Sequence, residues 1–76
     1  MFEKTLLLSN FKSVKNFVEL CNGKEYKIDL VSGKTTVDAK SIIGVFSLDL
    51  TKPVVMVAHT DQPADLALHL KPYEYK

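Results

Sequence analysis

Apolar positions along this chain fall into short runs whose spacing changes from one run to the next. Thr5-Leu6-Leu7-Leu8 is a continuous apolar run that stops at Ser9-Asn10, which predicts a short buried strand. The period then lengthens: Phe11, Val14, Phe17 or Val18, and Cys21 recur at helical spacing, with Lys12, Lys15, Asn16 and Glu19 between them. Asn10 is a favoured helix cap and Asn22-Gly23 a favoured stop, so one helix spans about residues 11 to 22. Alternation returns at Tyr26, Ile28 and Leu30, and Ser32-Gly33 turns that strand into a second one carrying Thr35, Val37 and Ala39. Ser41 can cap a short helix bearing Ile42, Ile43, Val45, Phe46 and Leu48, apolar on more sides than one core face absorbs. Part of that helix is therefore expected at the surface.

Pro53 opens the β-prone run Val54-Val55-Met56-Val57-Ala58. Asp61 can cap a last helix, Gln62 to Leu70, which Pro72 ends. The predicted order is β-α-β-β-α-β-α. In the last strand, Val54 and Met56 alternate with Val55 and Val57, so one pair faces away from the helices; with Val54 and Met56 outward, that face would self-associate or meet a partner.

Composition narrows the class. A chain of 76 residues has room for one core and no large catalytic cleft, so residues 1–76 are read as a single domain. Ten Lys against nine acidic residues give a net charge of +1, without the basic excess that nucleic acid would select. Arg is absent, which removes the planar fork used for bidentate phosphate recognition. The one cysteine, Cys21, allows no internal disulfide and fits a reducing compartment; on the apolar stripe of the first helix it reads as a buried small hydrophobe. No run approaches the ~20 apolar residues of a membrane span, and the three Leu near the N-terminus are too short for a signal sequence. The expected address is cytoplasmic, with neither nucleic acid nor membrane as partner.

The order of elements, together with Val37-Asp38-Ala39-Lys40-Ser41-Ile42-Ile43-Gly44-Val45-Phe46-Ser47-Leu48, resembles the HPr family, the small phosphocarriers of the bacterial sugar phosphotransferase system. The Lys-Ser-Ile-hydrophobic-Gly-hydrophobic-hydrophobic-Ser-Leu string carries the likeness, and the element pattern extends it over roughly residues 2 to 70. The implied fold is α+β: an open-faced sandwich with a four-stranded antiparallel sheet and the helices on one face. The family carries phosphate on a His at the start of its first helix, followed by Ala, Arg and Pro. Counting back from Ser41 at the family's spacing puts Asn10 at the His position, with Phe11, Lys12 and Ser13 after it. An amide is no phosphoryl acceptor. The family's loop before the His is nearly absent, since Leu8 runs straight into Ser9 and Asn10. His59 and His69 lie elsewhere in the order of elements.

The resemblance thus implies a non-catalytic HPr-like binding or regulatory module, in which Asn10 and Lys12 mark a degenerate phosphoacceptor site. Ser41 aligns with a serine that a dedicated kinase phosphorylates in many relatives, and Ile43, Phe46 and Ser47 align with the surface that docks protein partners. Plain structural roles stand beside these: Asn10 and Ser41 as caps, Lys12 on a solvated face. A working phosphocarrier and a structural homodimer remain the rival functions. No cofactor is expected, and His59 and His69 have no third ligand in register for a metal. Asp61, Asp65 and Glu74 read as cap and solvated surface.

Overall fold

A computed structural model describes residues 1–75 of the chain. Strand β1 (Phe2–Leu6) leads into helix α1 (Phe11–Asn22); strands β2 (Ile28–Ser32) and β3 (Thr35–Asp38) form a hairpin; α2 (Ile42–Phe46), β4 (Val54–Ala58) and α3 (Ala64–His69) follow, with a 3-10 turn at Lys71–Tyr73. The sheet order is β1-β4-β2-β3, antiparallel throughout. The β-α-β-β-α-β-α order is as the pattern predicted, and the α+β class is as the resemblance implied.

Two-residue alternation divides the sheet into faces. Leu6, Val54, Met56, Ala58, Ile28 and Leu30 are buried and join Val14, Phe17, Cys21, Val45, Leu66 and Leu70 of the helical layer in one hydrophobic cluster. Val54 and Met56 therefore point into the core, at 1% and 0% exposure. Val55 and Val57 are the half-buried pair on the other face. The open face with Val54 and Met56 outward is thus overturned: the ladder pairs Val54 with Leu6 and Met56 with Leu30, both core residues.

Several element ends also differ from expectation, each for a reason outside the local sequence. The first strand is Phe2–Leu6 rather than Thr5–Leu8, because its partner β4 begins at Val54, opposite Leu6, and is preceded by Pro53, which has no N–H to continue the ladder. Residues 7–10 accordingly form a four-residue connection to α1, where the apolar run predicts strand at Leu7 and Leu8. Leu8 is still buried, at 1%. Helix α3 starts at Ala64 with Pro63 as its flanking residue and no side-chain cap, whereas Asp61 is exposed and lies 4.0 Å from the N-terminal ammonium. Helix α1 keeps its predicted bounds, yet Gly23 ends it in right-handed geometry, φ −78°, and not as a left-handed cap. Among the described residues Gly33 alone takes positive φ, 60°, at the β2–β3 turn.

Beyond α3 the chain returns along the outer edge of β1. Leu7 donates its N–H to the Tyr73 carbonyl at 2.8 Å, Tyr75 donates to Thr5 at 3.1 Å, and Lys4 pairs with Glu74 at 3.2 Å. That covers one sheet edge. Asp65, expected as solvated surface, forms an ion pair with Lys24; the Lys24 ammonium holds the Asp65 carboxyl below its ordinary range, and the Lys24 pKa rises in turn.

Cys21 is fully buried, and burial pushes its thiol up to about 12. An unfolded thiol ionises near ~8.5, so the raised folded value contributes stability below that pH that is lost as pH rises. At pH 8 iodoacetamide should leave the native protein unmodified over a period in which the urea-unfolded chain is alkylated completely. Equal rates in both states would contradict the burial of Cys21.

Candidate functional site

The two short polar residues at helix starts act as caps, for a local reason: an extended residue with a short side-chain acceptor can reach the free N–H three residues on. Asn10 has φ −150° and ψ 167°, and its Oδ1 accepts from the Ser13 N–H at 2.8 Å. Ser41 has φ −102° and ψ 109°, and its Oγ accepts from the Gly44 N–H at 3.2 Å. Lys12 is exposed on the first turn of α1, where no acidic residue accompanies it. Asn10 and Lys12 thus stand side by side at a helix start, but the amide oxygen is committed to the helix backbone.

Helix α2 divides its apolar residues. Val45 is buried at 0% and Leu48, just beyond the helix, at 8%, whereas Ile43 is 81% exposed, Phe46 42% and Ile42 37%. Ile42 and Phe46, and Ile43 and Ser47, are i,i+4 neighbours, so the four cover one outward strip. The Ser47 hydroxyl donates to the Gly44 carbonyl at 2.5 Å, closing the helix. Gly44 faces inward: a Cβ there would make ordinary contact with Val37 Cβ at 3.5 Å and come to 3.3 Å from Ser41 Oγ, so the one tight approach is to the capping hydroxyl.

Phe11 departs from expectation. Helical spacing placed it on the core stripe of α1, but it is 64% exposed and its ring stacks on Phe46, centroids 5.4 Å apart and planes at 14°. As the first residue of the helix it lies past the core, which Val14 and Phe17 occupy from the following turns. The stack joins α1 to α2 and extends the exposed apolar strip to Phe11. Beside it a cavity of about 350 Å³ opens between the β1–α1 connection and the loop after α2, reaching Leu7, Leu8, Asn10, Val14, Leu50 and Thr51. The sequence reading missed Leu50 and Thr51, since loop residues have no period by which a shared site could be recognised.

The histidines stand apart from this region. His59 Nε2 lies 3.0 Å from Asp29 Oδ2, and His69 Nδ1 2.8 Å from the Asp65 carbonyl oxygen. Among the described residues no three His, Cys, Asp or Glu side chains come together as metal ligands, and no helix is long and apolar enough to cross a membrane.

The cap at Ser41 gives a direct expectation. Ser41→Ala should cost about 0.5–2 kcal/mol, and Ser41→Asp should be nearly neutral because a carboxylate also caps. Urea denaturation of the three proteins checks this; equal losses in Ala and Asp would remove the cap as the reason for serine here.

No family model matches the sequence, and no curated protein does. Among solved structures, the chain is similar to the crystal structure of HPr-C-His from Thermoanaerobacter tengcongensis, at 25% sequence identity over 92% of this chain and 86% of that one, with a TM-score of 0.77. The similarity covers nearly the whole chain, and this protein has an HPr-like fold.

Proposed function

We propose that residues 1–76 form a single, cytoplasmic, non-catalytic HPr-like module that docks a protein partner through the α2 surface, with ties to the sugar phosphotransferase system but without its phosphoryl-carrying His. The observation that carries this reading is the exposed apolar strip of Phe11, Phe46 and Ile43, the last 81% exposed. Fully covering a wholly exposed apolar side chain of this size contributes about 1.5–3 kcal/mol; Phe11 and Phe46, partly covered already, supply less than that each, and the three together can anchor a partner. Carrier chemistry finds less support. Asn10 offers no nucleophilic nitrogen, its oxygen caps α1, and Lys12 stands where the family has Arg.

Ser41 is the regulatory residue in this reading. It is exposed, and a phosphate on its Oγ would replace the cap bond to Gly44 with a dianion next to Ile42 and Ile43. An apolar partner surface would then meet charge. Affinity capture from a lysate of the source cells tests the docking: a protein retained by the wild type should be lost with Phe46→Asp, whose side chain is 42% exposed and can change without opening the core. Equal retention by both would refute docking through α2. Treatment with an HPr-type kinase and ATP, followed by intact mass, tests Ser41; an unchanged mass would leave it a cap alone.

A further inference from the structure

The cavity beside the start of α1 has a floor, which separates it from the flat strip of α2. Leu8 and Val14 form that floor, each 1% exposed, and Leu50 and the stacked rings of Phe11 and Phe46 stand around it. Because Phe11 lies against Phe46 and not in the hole, the stack forms one wall and leaves about 350 Å³ open. That is the scale of small-molecule sites, which begin at roughly 300 Å³; an apolar cavity of about 150 Å³ already holds benzene.

The lining states what kind of molecule fits. Among the described residues no Lys, His, Asp or Glu borders the cavity. Lys12, next in sequence to Phe11, is not among its lining residues. A phosphate or carboxylate entering here would give up hydration without meeting a counter-charge. The polar atoms lie with Ser9, Asn10 and Thr51. Two of them are committed: Asn10 Oδ1 accepts from Ser13, and Thr51 Oγ1 donates to Asp49 Oδ1 at 2.5 Å. Among the described residues the Asn10 Nδ2 amide and the Ser9 hydroxyl make no protein hydrogen bond, and both residues, exposed to solvent, border the cavity. What remains is an uncharged apolar pouch with one free amide donor and one free hydroxyl.

We propose that this cavity binds a neutral aromatic molecule of one or two rings carrying a single hydrogen-bonding group, with the rings on Leu8, Val14 and the Phe46 side and the polar group at Asn10 Nδ2 and Ser9. The site does not depend on protein docking, and its test contains no partner.

The probe is 2-naphthol, neutral at pH 7, with 2-naphthoate as the anion of similar size. In ¹⁵N- and methyl-resolved NMR titrations, 2-naphthol should shift Leu8, Val14 and Phe46 signals saturably, and 2-naphthoate should bind at least about tenfold more weakly. Asn10→Asp retains the helix cap, because Asp caps as Asn does, while it replaces the amide donor with a carboxylate; a phenol can donate to that carboxylate, so this variant is read with 2-acetonaphthone, which only accepts and whose affinity should fall by about tenfold or more with unchanged thermal unfolding. Three results would each overturn the proposal: no saturable shifts from 2-naphthol, shifts confined to the open sheet face at Val55 and Val57, or equal affinity of the wild type for phenol and carboxylate. Undiminished binding of 2-acetonaphthone by Asn10→Asp would do so as well, since the free amide donor defines the polar end.

Discussion

Phe17→Ala should lower the unfolding midpoint by on the order of 20 °C, the largest stability effect of any single truncation considered for this chain. Phe17 is fully buried on α1 and meets the ring of Tyr73 edge-on, centroids 5.9 Å apart at 76°. Tyr73 belongs to the segment whose carbonyl accepts from Leu7, so this one side chain ties α1 to the return of the chain along β1. Removing a buried Phe costs about 3–5 kcal/mol. A chain of this length has a total stability of only about 4–11 kcal/mol, at 0.05–0.15 per residue. Phe17→Leu, which conserves most of the volume, should lose less than about 1.5 kcal/mol. Thermal and urea unfolding of both variants checks the contrast, and an Ala variant within about 1 kcal/mol of the wild type would show that the α1 packing is wrongly described.

Asn10→His should not create a phosphocarrier. The substitution restores an imidazole at the position that the HPr resemblance assigns to the phosphoacceptor, but it removes the cap bond to Ser13, at a cost of about 0.5–2 kcal/mol. The new ring would stand at the mouth of an apolar cavity that no cation among the described residues lines. Lys12 and Ser13 would still follow it in place of Arg and Pro, and displacement of a reacting group by about 1 Å can cost 10²-fold in rate. With phosphoenolpyruvate and the first enzyme of the phosphotransferase system, the variant should therefore acquire acid-labile phosphate at least about 10²-fold more slowly than a working HPr. A rate within about tenfold would show that the imidazole alone was missing.

What the sequence revealed, and what it hid, follows from the range of the interactions involved. Both ends of α1 were legible because they are local: Asn10 caps Ser13, and the helix stops at Asn22-Gly23. The surface exposure of α2 was legible too, since Ile42, Ile43, Val45 and Phe46 cannot all face one core. The end of β1 was not, because Leu7 and Leu8 are as strand-prone as Leu6 and only the start of β4 after Pro53 decides where pairing stops. The orientation of β4 was open for a similar reason: Val54-Val55-Met56-Val57 is apolar at every position, so alternation carries no face label. Phe11 obeys the helical period of the core and still lies outside it, because a helix can extend past the sheet it covers. The cavity joins Leu8 and Asn10 to Leu50 and Thr51, a pairing made by tertiary packing alone.

The central claim is an HPr-like fold that carries no phosphate, and phosphoenolpyruvate-dependent labelling of the wild-type protein tests it most directly. His59 is engaged with Asp29 and His69 with the Asp65 carbonyl, neither of them at the start of α1. The account predicts that the first enzyme of the phosphotransferase system becomes labelled while this protein takes up no acid-labile phosphate, over a time in which an authentic HPr in a parallel reaction is labelled to completion. Acid-labile phosphate on the wild-type chain, at either histidine, would contradict it.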